Sequence, residues 1–329
     1  MPATEPRRWQ RLASAAGSPL VRAGVTLFLL TLVASRLDWS QIAQRLREGH
    51  PLDFLLAIAI VLLALVMGAF RWRALLHGAG IKLSAPRLAR IYAVSTFSNT
   101  FLPTSAGGDV TRALLVTRRG PELRKVVVSV LVDRAGGLAG LLGIAWIALV
   151  VAPSRVPQSA QTVLGWTTFV LAAAAGITAV VAARGGRLGR RLVPERARGT
   201  ARDARDVLLG YARSPRLLVS WLLLSVTYQA LIALQLVMLG RAIGVELPLA
   251  TAAVVLALVQ IITLMPISIG GFGIREGSYV VLLGGASIAA SDATLISVLS
   301  VATLLIASLP GAYLIMRGDV GGRSGPAAA

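Results

Sequence analysis

Two copies of one polar motif carry the residue types that could do chemistry in this chain. They run over 101–112 and 264–275, lie 163 residues apart and share five of twelve positions. The shared residues are Pro103, Ser105, Gly107, Gly108 and Arg112 in the first copy, and Pro266, Ser268, Gly270, Gly271 and Arg275 in the second. An arginine offers a planar fork of donors that suits phosphate oxygens, and a serine hydroxyl adds one more donor. Paired glycines let backbone N–H groups approach an anion. The motifs therefore predict two anion-binding sites.

Each copy follows an apolar run and interrupts it with residues that a spanning helix tolerates poorly. Proline removes a backbone donor and paired glycines weaken a helix, so we assign Pro103, Pro266 and Gly273 as hinge positions. Non-helical backbone survives in a bilayer only where protein covers it or a watery cavity touches it. Matching interruptions in two halves of an apolar chain are typical of a transporter binding site.

A purely structural reading of the motif is the alternative. The glycine pairs could permit close helix packing, and Asp109 could pair with Arg112 three residues later. Asn99, before the first copy, either lines the same pocket or satisfies backbone groups. Because the whole pattern occurs twice, we favour a functional role.

Asp133 and Arg134 lie inside a predicted span, where ionisable residues are costly and are functional by default. Adjacent helix positions do not face one another, so at least one of the two needs a partner from another segment. The candidate partners are Asp109, Arg112 and Glu276. Glu276 directly follows Arg275 and suits either a proton site or a counter-ion. We predict that Asp109, Asp133, Arg134 and Glu276 form a charge network.

The composition is that of a multi-span membrane protein. Of 329 residues, 56% are hydrophobic and only 14% are charged, against roughly 25% charged in soluble domains. The net charge of +19 comes from basic residues in short loops between apolar runs, which indicates membrane topology rather than nucleic-acid binding. Without cysteine, and with His50 and His77 isolated, we expect no metal site and no cofactor.

The hydropathy pattern predicts an all-α polytopic membrane protein with six full spans and two re-entrant hairpins in an inverted repeat. The spans cover 21–37, 52–70, 126–152, 163–183, 217–240 and 293–316. The membrane domain is 21–317, between a basic tail over 1–20 and a second tail over 318–329. The alternative is eight spans, in which 249–265 and 277–290 each cross.

The positive charges predict that both termini are cytoplasmic. The two tails together with the adjoining Arg22 and Arg317, the segments 71–90 and 112–125 and the loop 184–216 hold 26 lysines and arginines. The opposite loops, together with Arg36 at the end of the first span, hold five. We assign Arg71 to the basic segment 71–90, after the second span. The loop 184–216 alone holds ten arginines.

Three motifs in order resemble the lysylphosphatidylglycerol synthase transmembrane region, or flippase-like, family. They are Tyr92 to Arg112 (Y-x-x-S-x-x-x-N-x-x-L-P-x-x-x-G-G-D-x-x-R), Asp133-Arg134-x-x-Gly137, and Pro266-x-Ser268-x-Gly270-Gly271-x-Gly273-x-Arg275-Glu276. The resemblance implies an inner-membrane protein that moves a lipid between leaflets. Its best-known members move an aminoacylated phospholipid and carry a soluble aminoacyltransferase domain. Since the sequence ends at Ala329 soon after its last span, we expect no synthase activity.

The leading hypothesis is a lipid flippase rather than an enzyme, in which Arg112 and Arg275 hold the headgroup phosphate. Its lipid partner would be an anionic or aminoacylated phospholipid or a polyprenyl phosphate. Two alternatives stay open. One is a membrane subunit that recruits an enzyme through the arginine-rich loop, and the other is an intramembrane transferase acting on a lipid-linked substrate.

Overall fold

The computed structural model describes residues 40, 44, 47–101, 107–117, 120–173, 195–263 and 274–318. Within these ranges the chain is all-helical, as predicted, and contains no strand. The predicted first span, both tails apart from residue 318, and the segments 102–106 and 264–273 inside the two motifs lie outside the described residues.

The described helices are numbered in chain order. They are α1 (Pro51–Gly78), α2 (Ala85–Phe101), α3 (Gly107–Val116), α4 (Gly120–Val151), α5 (158–173, to the edge of the described range), α6 (Glu195–Ala212), α7 (Pro215–Ala242), α8 (Leu249–Thr263), α9 (Ile274–Gly284) and α10 (Ala290–Arg317). A short 3₁₀ turn, Pro153–Arg155, precedes α5.

Four of the described helices, α1, α4, α7 and α10, are long and apolar enough to cross a membrane. They contain the predicted spans 52–70, 126–152, 217–240 and 293–316 almost completely. Each has 28 residues or more, whereas a bilayer core needs only about 20. The chain is therefore a polytopic, all-helical membrane protein.

Two pairs of shorter helices carry the motif copies. In the first pair α2 has 17 residues and α3 has 10, and in the second α8 has 15 and α9 has 11. Within each pair the two helices pack on one another. Each helix is shorter than a spanning helix of about 20 residues, which is what a re-entrant hairpin requires. The choice between six and eight spans stays a prediction.

The helices bury their small and branched apolar side chains against one another. The largest buried cluster joins α7, α8, α9 and α10, and includes Leu239, Val255, Leu283 and Leu299. Between α4 and α7 the backbones are very close, since a Cβ on Gly140 would lie 2.5 Å from the carbonyl oxygen of Ser225. Gly140 therefore supplies the close packing face that small residues give membrane helices.

The structure differs from the sequence prediction in two places. The arginine-rich segment 184–216, predicted as a loop, contains the helix α6, whose Val207 and Tyr211 are buried against α1 and α4. The Tyr211 hydroxyl donates to the carbonyl of Leu75 at 2.8 Å, and burial raises the pKa of Tyr211. The second difference concerns Arg71. It was predicted to lie in the basic segment after the second span, but it lies within α1.

Candidate functional site

Asp133, on α4, lies at the centre of a buried group of charges. Its Oδ1 accepts a hydrogen bond from Arg71 Nε at 2.7 Å, and its Oδ2 accepts one from Arg112 Nη1 at 2.8 Å. All three residues are at least 94% buried. One carboxylate thus holds together three helices, α1, α3 and α4.

Asp109, on α3, extends this group toward the surface. Its Oδ1 pairs with Arg112 Nη2 at 2.8 Å, and its Oδ2 accepts from Arg134 Nε. Arg134 is about one-third exposed. The result is an alternating row of charges, Arg71–Asp133–Arg112–Asp109–Arg134, which we call the charge ladder. Asp133 and Arg134 are neighbours in sequence but bind different partners, as the helix geometry predicts.

Aromatic rings cover the two buried arginines. The Arg112 guanidinium lies 4.9 Å from the ring centre of Trp72, and the Arg71 guanidinium lies 5.4 Å from that of Tyr228. The Trp72 indole N–H donates to the Ser129 hydroxyl at 3.2 Å. Arginine suits such a site because its guanidinium is weakly hydrated and stacks on aromatic faces.

Two guanidinium nitrogens of the ladder have no hydrogen-bond partner among the described residues. They are Arg71 Nη1 and Arg112 Nε, and both are buried. A buried donor without an acceptor costs about 1–3 kcal/mol, and more when it is charged. These nitrogens are therefore donors to which an anionic ligand could bind.

The first hairpin holds Arg112 and Asp109 in place through Gly108. The Gly108 N–H donates to Asn99 Oδ1 at 3.0 Å, and the Ser95 hydroxyl donates to the Gly108 carbonyl at 2.9 Å. A Cβ on Gly108 would lie 2.3 Å from the Ser95 carbonyl oxygen, so only glycine fits without movement. Asn99 thus binds a backbone N–H at the start of α3.

The remaining predicted site residues fall into two sets. Gly107 is buried at the start of α3, while Arg275 and Glu276 lie half-buried at the start of α9, which packs on α8 and α10. Pro103, Ser105, Pro266, Ser268, Gly270, Gly271 and Gly273 lie outside the described residues. The structure therefore places the first motif in the ladder and only the arginine end of the second motif.

A polar chain leads from the ladder toward the second motif. Gln229 Nε2 donates to the carbonyl of Gly137, one helical turn after Asp133, at 3.0 Å. Gln260 Nε2 in turn lies 3.5 Å from Gln229 Oε1, and Gln260 is four residues before the second motif begins. The sequence analysis missed both glutamines, although a glutamine inside an apolar helix is a visible signal.

Sequence reasoning also missed Arg71, the second arginine of the buried centre. The sequence did indicate that the helix continues past Arg71, because the apolar residues Trp72, Leu75 and Leu76 follow it beyond the predicted span 52–70. A metal centre is not suggested, because no group of three His, Asp or Glu side chains within the described ranges could hold a metal ion.

The family model described as the lysylphosphatidylglycerol synthase TM region matches residues 19–311. The search of curated proteins found no match. Because the family model covers nearly the whole chain, this protein belongs to the family of the lysylphosphatidylglycerol synthase TM region.

Proposed function

We propose that this protein moves a lipid with a phosphate headgroup between the leaflets of the inner membrane, as a carrier rather than an enzyme. The observation that carries the proposal is the charge ladder, in which three arginines face two aspartates and two buried guanidinium nitrogens lack acceptors. A phosphate oxygen is the kind of acceptor that an arginine fork binds best. Family membership supports the same conclusion, because the family's description refers to a phospholipid.

The ladder suggests how a headgroup could move the first hairpin. Two of its ion pairs, Arg112–Asp133 and Asp109–Arg134, join α3 to α4. A phosphate that binds Arg112 competes with these carboxylates for the same donors. Replacing a carboxylate by the headgroup would loosen α3 from α4 and open the hairpin, which is the differential binding that a conformational change needs.

The duplicated motif supplies the second half of the proposed cycle. Arg275 occupies the position in the second motif that Arg112 occupies in the first. We propose that Arg275 receives the headgroup when the second hairpin is open. In an inverted repeat, the two hairpins would approach the bilayer from opposite sides.

Lipid transfer in proteoliposomes tests the proposal. Purified protein would be reconstituted with labelled phospholipids, and transfer between leaflets would be scored for wild type, Arg112→Ala and Arg275→Ala. We expect transfer by the wild type and its loss in both variants. Arg112→Lys keeps the charge but not the fork, so we expect reduced transfer from a folded protein. Arg87→Ala, which removes an exposed arginine of α2, is the matched control and should transfer normally.

Wild-type transfer rates in folded Arg112→Ala and Arg275→Ala would refute the carrier proposal. The same proteins must first be shown to be inserted and monodisperse, because Arg112 also holds Asp133. Absence of transfer by folded wild-type protein, for every lipid supplied, would refute it as well.

A second candidate function is a membrane subunit that recruits a lipid-modifying enzyme. The observation that favours it is α6, a helix with four arginines, of which Arg205 is exposed. Substituting Arg205→Glu, together with exposed Arg213→Glu, should abolish binding of a partner enzyme if this function is right. Normal lipid transfer by that double variant would favour the carrier instead.

A further inference from the structure

We propose that α6 lies along the membrane surface and binds the headgroups of anionic phospholipids. The binding face consists of two exposed leucines and three exposed arginines, and we call it the α6 lipid face. Its members are Leu208, Leu209, Arg205, Arg213 and Arg216. They are separate from the charge ladder, so this inference goes beyond the proposed carrier function and does not depend on it.

The buried contacts of α6 place it at one end of the helix bundle. Its Val207 and Tyr211 belong to a buried cluster. The same cluster contains Leu75 and Ala79, at the end of α1, and Val128, near the start of α4. A connection of two residues then leads from α6 into α7. The end of α1, the start of α4 and the start of α7 thus meet α6 on one side of the membrane domain, which is where the headgroups of one leaflet lie.

The side chains of α6 point to three different sides of the helix. Because a helix turns about 100° per residue, Ala204, Val207 and Tyr211 share the side that packs on the protein. Leu208 is 48% exposed and lies on one flank of that side. Asp206 is also exposed, and its position two residues earlier puts it about 160° away, on the other flank. One flank is therefore apolar and the other is acidic.

The flank of Leu208 has the composition of a helix that lies in a membrane interface. Arg205 comes three residues before Leu208 and four before Leu209, so it lies between them on the helix surface. The leucines remain 48% and 38% exposed in the protein. Interfacial helices bury such apolar residues at the boundary of headgroups and acyl chains. An arginine between them can cover apolar surface with its stem and extend its charge to the phosphates.

The α6 lipid face continues into the lipid-exposed start of α7, which favours a membrane over a protein as its partner. Arg213 and Arg216 lie at the junction of the two helices. Leu218 and Val219 follow and are 36% and 58% exposed, at the beginning of a helix apolar enough to cross the membrane. The two arginines therefore lie where the apolar surface of the span ends, at the depth of the headgroup phosphates.

The charge of this region is complementary to an anionic leaflet. Residues 204–220 contain three arginines and one carboxylate, Asp206, and that carboxylate lies on the flank opposite Leu208. Each arginine close to an anionic membrane surface strengthens binding about fivefold. This attraction falls off within a Debye length and weakens with salt. We therefore expect the α6 lipid face to prefer anionic over zwitterionic lipid.

Lipid quenching of a single fluorescent label tests the position of α6. The sequence contains no cysteine, so an introduced cysteine gives a unique labelling site. Full-length Leu208→Cys and, as the matched position on the other flank, Asp206→Cys would be labelled and reconstituted in vesicles of phosphatidylcholine and phosphatidylglycerol. We expect brominated lipids to quench the label at 208, and aqueous iodide to quench the label at 206.

The choice of the brominated lipid measures the preference for negative charge. At equal mole fraction, brominated phosphatidylglycerol should quench the label at 208 with at least about fivefold higher local affinity than brominated phosphatidylcholine. Arg205→Glu with Arg213→Glu, in the Leu208→Cys background, should abolish this preference, and the corresponding double lysine variant should keep it. Arg155→Glu, an exposed position after the end of α4 on the opposite side of the membrane domain, is the control and should leave the preference unchanged.

The possible outcomes separate this inference from the carrier proposal. If iodide but not brominated lipid quenches the label at 208 in folded protein, the face meets water, a protein becomes its partner, and the inference is overturned. Equal quenching by the two brominated lipids would overturn the selection of anionic headgroups. An equal loss of preference in Arg155→Glu would overturn the local role of the α6 arginines. The carrier proposal stands in each case, because lipid transfer is measured separately.

Discussion

Replacing Asp133 by asparagine should destabilise the protein more than any other single loss of charge among the described ion pairs. Its side chain is only 3% exposed, and it accepts from two arginines whose side chains are 7% and 5% exposed. Asparagine keeps the shape of the side chain but removes the negative charge. Arg112 would still have Asp109, whereas Arg71 would lose the only carboxylate with which it pairs in the described structure.

The burial of each ion pair sets how much free energy of unfolding is lost when the pair is broken. Removing one partner of a buried ion pair typically costs about 3–5 kcal/mol, because the remaining charge stays buried without compensation. The matched control is Arg241→Gln, which breaks an ion pair elsewhere, that of Arg241 on α7 with Asp53 on α1 at 3.4 Å. Arg241 is 57% exposed, so solvent screening should limit that loss to roughly 1 kcal/mol or less.

Steric trapping in bicelles measures the free energy of unfolding of such variants without leaving a lipid environment. We expect Asp133→Asn to lower it by about 3–5 kcal/mol. The double variant Arg71→Met with Asp133→Leu should lose less than the two single variants added together, because both charges are removed at once. A loss for Asp133→Asn no larger than that for Arg241→Gln would refute the reasoning that the ladder is a coupled, buried network.

Two further predictions concern contacts that support the site. Gly108→Ala should destabilise the first hairpin by about 2 kcal/mol or more, because its Cβ would overlap the Ser95 carbonyl. Gly277→Ala, whose Cβ would meet no atom within 4 Å, should be neutral or stabilising, and a loss of thermal stability equal to that of Gly108→Ala would contradict the packing argument. Tyr211→Phe should cost about 1 kcal/mol by removing the hydrogen bond to the Leu75 carbonyl, measured as a lower unfolding midpoint in one detergent. An unchanged midpoint would show that α6 does not depend on that bond.

The sequence was enough to predict the helix pairs of the two motifs and part of the ladder. Spacing showed that Asp133 and Arg134 face different directions, and the possible partners named for them were Asp109, Arg112 and Glu276. In the structure Asp133 pairs with Arg112 and Arg134 pairs with Asp109. These predictions succeeded because they depend on local geometry, which the period of a helix fixes.

Arg71 could not be assigned in the same way, because its position depends on tertiary contacts. By hydropathy, a charged residue directly after Phe70 marks the end of a span. The helix continues nonetheless, since Asp133 from α4 and Tyr228 from α7 surround the guanidinium. Similarly, the many charged residues of α6 made its segment resemble a loop in the sequence. Its contacts with α1 and α4 show that one face of this helix is buried.

The cost of the ladder is itself an argument about its purpose. Burying charges in a membrane is expensive, and well-packed apolar residues in place of a buried ion pair are often neutral or stabilising. If stability were the only requirement, Arg71 and Asp133 would give way to apolar side chains, and no buried guanidinium nitrogen would lack an acceptor. The ladder keeps both features. Stability and lipid transfer should therefore separate in the Arg71→Met, Asp133→Leu variant, which we expect to stay folded but to lose lipid transfer in proteoliposomes.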